Sequence, residues 1–373
     1  NLLSQHGQYT RRVLPCADNL TSHSEAQHTM TETPKRKNDN KFSQHLFVAI
    51  GALISIVFLV IAFNGLDPAA FLDSLTDINL AWLIVGALGY FFAVAVIAWR
   101  WQFLLRALRP ISLPPLTQIV AIGYMGNNVY PLRAGEALRL FLLKRNHDVP
   151  VAGAATTVVI ERVFDGIVML SFILLGLLLV DVTSEQIQLV LSIAVPVFGI
   201  AVVVFFGLAA FPNLLRRVVE FFAGFLPERI REVVLSLSDS IIEGLGSLRS
   251  PLNLLGAIFA SYTTWAIEAG VYWIVMWAFG LDLGYPVALL VVGTVNLAGL
   301  IPASPGMVGV YEFFVSAVMV AVGIDNDMAL AYAIVVHIVI WLPVTLVGFF
   351  FLVRYGLGWD AIRNANQLQE ATS

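Results

Sequence analysis

The stretch NNVYPLRAGEALRLFLLKR, Asn127 to Arg145, decides how the chain must be read. It closes an apolar run, 116–131, and then carries Pro131, Arg133, Gly135, Glu136 and Arg139. As a helix that run reaches only about 24 Å, short of the roughly 30 Å hydrocarbon core of a bilayer. Lys and Arg favour the cytoplasmic side of a membrane. Were 116–131 a full crossing, Arg133, Arg139, Lys144 and Arg145 would all lie outside. The economical reading is a re-entrant segment that enters from the cytoplasm, breaks at Pro131 and returns as an amphipathic helix. A kinked spanning helix is the alternative.

Composition supports a membrane setting. The 373 residues are 58% hydrophobic and only 12% charged, with a mean hydropathy of +0.83. A soluble domain of this length rarely holds so little charge. The fold class is therefore all-α, a polytopic helical membrane protein. The net charge of −4 gives nucleic-acid binding no electrostatic support. Cys16 is the single cysteine, so no intrachain disulfide can form.

Apolar runs at 43–63, 80–99, 150–180, 188–211, 252–280 and 328–353 predict six full spans, and the runs 116–131 and 286–323 are interrupted. Residues 1–42 are polar and read as a disordered cytoplasmic tail. Without an apolar stretch near the start they are not a cleavable signal peptide, and Met30 looks like a natural start. Lys35 to Lys41 place the N-terminus in the cytoplasm. Asp67, Asp73 and Asp77 mark an outside loop, and Arg100, Arg106 and Arg109 an inside one. Asp181 and Glu185 fall outside. Arg216, Arg217, Arg229, Arg231 and Arg249 hold the connector 212–251 inside, as one or two interfacial helices. Asp282, Asp325 and Asp327 are outside, so 286–323 is also re-entrant or a hairpin. Arg354 and Arg363 put the tail 354–373 in the cytoplasm.

The transmembrane domain, 43–353, thus divides into halves at about 43–180 and 188–353. Each reads span, span, broken element, span, in opposite orientation, the pattern of an inverted-topology repeat. PLRAG (Pro131 to Gly135) and PASPG (Pro302 to Gly306) share a Pro-x-x-x-Gly spacing at corresponding breaks. Irregular backbone survives at membrane depth only when buried in protein or lining a wet cavity. Two breaks therefore predict a shared polar cavity.

Arg133, Glu136, Arg139, Glu161, Arg162 and Asp165 would each cost roughly 2.5–3.5 kcal/mol facing lipid at a span centre, so they must be paired, wet or near the interface. Glu136 and Arg139, and Arg162 and Asp165, are i,i+3 neighbours; Glu161 and Asp165 are i,i+4. Two readings stand side by side: ion pairs that lock helices together, and a site where arginines bind a phosphate held in place by carboxylates. Asn127, Asn128 and Tyr130 add uncharged hydrogen bonds at the first break. The second offers Asn296, Ser304, Gly306, Tyr311 and Glu312. Glu268 and His337 are candidates for a proton relay, the bland alternatives being a paired carboxylate and a packing histidine. Trp82, Trp99, Trp101, Trp265, Trp273, Trp277, Trp341 and Trp359 read as interface anchors. Gly51, Gly86, Gly89 and Gly176 read as packing positions. No nucleotide loop, metal-binding motif or nucleophile elbow occurs, so neither a cofactor, a metal nor a catalytic residue is assigned.

The breaks, with VVIERVFDGIVML (158–170), GLIPASPGMVGVYEFF (299–314) and AYAIVVHIVIWLP (331–343), resemble the lysylphosphatidylglycerol synthase transmembrane-region family, also called flippase-like, over roughly residues 45–353. The resemblance implies an inner-membrane protein with a lipid-translocating role. It implies a polar core holding Arg133, Gly135, Glu136, Arg139, Glu161, Arg162, Asp165, Pro302, Gly306 and Glu312. The sequence ends at Ser373 with no room for the synthase domain, so lysyl transfer is not expected of it. The expected activity is movement of a phospholipid or glycolipid headgroup across the bilayer. The rivals are a lipid-modifying transferase or phosphatase using Glu161 and Asp165, and a scaffold for a cytosolic synthase or glycosyltransferase. The expected partners are the lipid substrate and the bilayer, with room for such an enzyme or a second copy of the chain.

Overall fold

Short polar caps and prolines set where the helices begin. The computed structural model describes residues 36–131, 134–180, 211–244 and 250–357, with isolated positions at 196, 200 and 203. Helix α1 is Arg36–Ala62. Asp67 caps the short α2, Pro68–Asp73, by accepting from the Ala69 amide at 2.9 Å. Asn79 does the same for α3, Leu80–Leu105, through the Ala81 amide. Helix α4, Leu113–Val129, has prolines in its first turn, where their missing N–H costs nothing. It stops because Tyr130 precedes Pro131 and is pushed to an extended conformation, φ −100° and ψ 145°. Helix α5, Ala134–His147, and α6, Val151–Leu179, follow. Then come α7, Pro212–Ala223; α8, Glu228–Gly244; α9, Pro251–Ala278; α10, Tyr285–Ala298; α11, Val310–Ala321; and α12, Asn326–Arg354.

Helices α3, α6, α9 and α12 are long and apolar enough to cross a membrane. The described apolar part of α1 is shorter, Val48–Ala62. The span predicted at 188–211 lies outside the described residues but for its isolated positions, as do Asp181, Glu185, Arg249 and Arg363. Helix α1 already begins at Arg36, inside the segment expected as a tail. Residues from Gln44 onward form one compact unit, and those up to Ser43 a separate one.

The two interrupted runs are helical hairpins. At 17 and 14 residues, α4 and α5 reach only about 26 and 21 Å, too short to cross alone. They run antiparallel at backbone contact: a Cβ on Gly126 would lie 2.6 Å from Gly135 Cα, and one on Gly135 would lie 1.8 Å from the Gly123 carbonyl oxygen. Helices α10 and α11, also in contact, are shorter still at 14 and 12 residues.

The halves interlock by exchanging arms. Helix α3 packs along α9, where Asn79 N–H donates to Ala278 and Arg106 reaches Asn253 at 3.1 Å at the other end. Helix α4 packs on α12 of the other half, with Gly348 against Ala121 and Met125. Helix α10 packs on α6 in return, through Gly293 against Met169 and Ile173 and Gly176 against Leu290. That reciprocity is what an inverted repeat requires. The core buries Trp101, Leu104, Ile119, Ile122 and Met125 beside Tyr272, Val292 and Tyr332. The predicted interfacial connector is an α7–α8 pair, with α8 also against α6.

Candidate functional site

The second break needs backbone that only glycine takes easily. Gly306 has φ +69° and Gly309 φ +90°. A Cβ on Gly306 would stand 2.7 Å from Trp341 Nε1, and one on Gly309 2.3 Å from the Ser55 carbonyl oxygen. Glu312 then turns back to accept from the Gly309 amide at 2.6 Å, restarting the chain as α11. Ser304 fastens the break to α1: its amide donates to Ser55 Oγ at 2.9 Å, and the two hydroxyls are 2.9 Å apart.

Both breaks open onto one cavity of about 520 Å³. Asn127, Asn128, Tyr130 and Pro131 line one side, and Gly299 to Met307 the other. Val48, Gly51 and Ala52 of α1 close a flank, while Tyr90, Tyr124, Arg162, Trp265, Glu268, Tyr272, Tyr311, His337 and Trp341 complete the wall. Three buried polar atoms of this lining have no partner among the described residues: Asn127 Oδ1, Tyr130 OH and Trp341 Nε1. Such groups cost about 1–3 kcal/mol each when left unsatisfied. The wall therefore suits a polar occupant.

Behind one wall lies an ion network. Arg139 grips Glu161 with two nitrogens, at 3.2 and 3.0 Å, and meets Glu136 at 3.1 Å. Arg100 binds Glu161 at 3.0 Å and also Asp165. The i,i+4 carboxylates of α6 thus clamp an arginine of α3. Arg162 reaches Glu161 at 2.8 Å, Asp165 at 3.4 Å and Glu136 at 3.7 Å. Trp101 lies under the Arg139 guanidinium at 4.0 Å, and Trp265 donates to Asp165 at 2.7 Å. Three guanidinium groups face three carboxylates, so the network is neutral as a whole. Arg100 and Arg139 are buried, whereas the Arg162 side chain is 43% exposed and is the one member of the six that lines the cavity.

A second network stands opposite. His337 Nδ1 is 2.6 Å from Glu312, and its ring stacks on Tyr311 with centroids 4.0 Å apart. Tyr311 donates to the Tyr272 hydroxyl at 2.6 Å, and Tyr332 to the Tyr272 carbonyl at 3.0 Å.

The family model for the lysylphosphatidylglycerol synthase TM region matches residues 48–348, which hold both hairpins and every cavity residue just described. The chain belongs to this family. Among relatives, glycosyltransferase AglD of Haloferax volcanii is 26% identical over 80% of this chain, which spans 53% of that protein's length. A UPF0104 membrane protein of Methanothermobacter thermautotrophicus is 25% identical, over 71% of this chain and 81% of its own. UPF0104 membrane protein MJ1595 of Methanocaldococcus jannaschii is 24% identical, over 80% and 91%.

In this lysylphosphatidylglycerol synthase TM region protein, the predicted site residues divide between two places. Asn127, Asn128, Tyr130, Arg162, Ser304, Gly306 and Tyr311 line the cavity, with Glu268 and His337. Glu136, Arg139, Glu161 and Asp165 stand behind it, occupied with one another, and Glu312 caps α11 and holds His337. Arg133 lies outside the described residues. The two proton-relay candidates both line the cavity, and His337 pairs with Glu312, one turn into the neighbouring arm. Arg100, expected at a cytoplasmic loop, is instead 1% exposed, because α3 runs on to Leu105. Trp101, Trp265 and Trp341, expected at an interface, are parts of the site. Their tryptophan N–H groups are the signal that could have raised the question, since a buried indole seeks an acceptor.

Proposed function

We propose that this membrane protein moves a phosphate-bearing lipid headgroup between leaflets, leaving the lipid chemically unchanged. The observation that carries this reading is a cavity bounded by both hairpin breaks, with Arg162 in its lining. A headgroup in that chamber meets a guanidinium already positioned by three carboxylates, and the orphaned Tyr130, Trp341 and Asn127 atoms offer two donors and one acceptor. The acyl chains stay in the bilayer. The reciprocal packing of the halves supplies a way for one to rock against the other. The protein sits in the cytoplasmic membrane with both termini inside. A glycosyltransferase is named at the AglD relative, and a lipid-linked sugar falls within the same chemistry, since its phosphate is the group held.

Reconstituted vesicles with fluorescent head-labelled phospholipid test this. Wild-type protein exposes inner-leaflet lipid to an impermeant quencher, and Arg162→Ala slows that exposure by about 10–100-fold, the worth of a charge-assisted hydrogen bond. Equal rates in the two proteins, both folded, remove Arg162 from the pathway. No movement in wild type removes the transport reading and leaves a lipid-modifying enzyme or a scaffold.

A further inference from the structure

Glu268 is a buried carboxylate that meets no cation among the described residues. It is 4% exposed, it lines the cavity, and among the described residues no Lys, Arg or His pairs with it. The Asn296 amide is its polar partner. An isolated carboxylate in a membrane interior must find a cation, water or a proton.

The groups facing it make the choice. Tyr90 of α3, Tyr124 of α4, Tyr272, one turn along α9, and Tyr311 of α11 line the same cavity. From α6, Asp165 adds a second carboxylate whose charge acts on Glu268. Arg100 and Arg162 are committed to Glu161 and Asp165. On α12, His337 is held by Glu312, and Tyr332 donates to the Tyr272 carbonyl. The arginine network is already neutral, so an anionic headgroup at Arg162 would share the chamber with an uncompensated Glu268.

We propose that Glu268 is a proton-binding site coupled to the lipid site: an anionic phosphate entering at Arg162 draws a proton onto Glu268, and the proton leaves when the headgroup does. This rests on the transport reading for its consequence, but the site itself does not. Two anions in one low-dielectric chamber repel, and protonating the carboxyl removes the repulsion. By linkage the effect is mutual. Lower pH tightens anion binding, and anion binding raises proton uptake. The proton goes on and comes off the carboxyl oxygen, and no other bond changes.

The test uses purified full-length protein with short-chain phosphatidylglycerol as the probe and a neutral diacylglycerol as control. Wild-type affinity for the phosphatidylglycerol rises by up to about tenfold per pH unit on acidification, the limit for one coupled proton. Addition of the probe takes protons from a weakly buffered solution and strengthens the infrared carbonyl stretch of a protonated carboxyl group. Glu268→Gln binds the probe with flat pH dependence and without proton uptake, and Glu268→Asp, which keeps a carboxyl, retains uptake. Uptake in the Gln variant equal to wild type, or none in wild type, overturns the proposal. Vesicle transport under an imposed pH gradient separates the two readings. Lipid that moves without sensing the gradient in either protein sinks the coupling alone, whereas proton uptake without lipid movement sinks transport and keeps the proton site.

Discussion

Arg139 and Arg162 carry the same side chain and the same charge, yet the structure gives them different tasks. Arg139 is 2% exposed and spends its nitrogens on Glu161 and Glu136. Removing one partner of a buried ion pair leaves the other uncompensated, which costs about 3–5 kcal/mol. Arg139→Ala and Arg100→Ala are therefore expected to lower the thermal midpoint in detergent sharply, whereas Arg162→Ala, with its half-open side chain, leaves the midpoint near wild type and acts on lipid. A flat midpoint in Arg139→Ala would mean the network is not holding α5 to α6. The local part of this network was legible: Glu136 and Arg139, and Arg162 and Asp165, meet as their i,i+3 spacing predicts. The cross-helix part was not. Nothing in sequence brings α3 beside α6, so Arg100 read as a topology marker when it is the buried centre of the cluster.

At the scale of elements, prolines and glycines made the hairpins readable. Pro131 forces Tyr130 out of the helix, and the residues that follow cannot continue α4. Gly135 then lets α5 lie on α4 at a separation no Cβ tolerates, so Gly135→Ala is expected to abolish folded protein, read as loss of the monodisperse peak on size-exclusion chromatography. The packing role expected of Gly176 and Gly51 is visible against Leu290 and against the Ala303 carbonyl. What sequence could not supply is which element each arm touches, because that is set by the other half. The clasp between α1 and the second break is one such contact. Ser55→Cys with Ser304→Cys, in a Cys16→Ser background, is expected to form a disulfide that halts lipid movement until reduced, as the hydroxyls already stand 2.9 Å apart. Unimpaired transport in the oxidised protein would show that α1 need not leave the break.

For the whole molecule, orientation rests on the distribution of Lys and Arg. Lys144 is exposed at the end of α5 and Asp77 in the loop before α3. In oriented vesicles, Lys144→Cys and Arg354→Cys are expected to react with an impermeant maleimide from the cytoplasmic face, and Asp77→Cys from the opposite one. Labelling of all three from one side would overturn the arrangement.

The exchanged arms bear on how the chain is made. Helix α4 meets α12, the last helix described, so during synthesis the first hairpin waits in the bilayer with its Ala121–Met125 face uncovered until α12 has been made. Neither half is a unit of biogenesis. The insertion machinery must keep an unfinished, charge-bearing hairpin from straying, and maturation ends in one late closing step rather than in two independent ones.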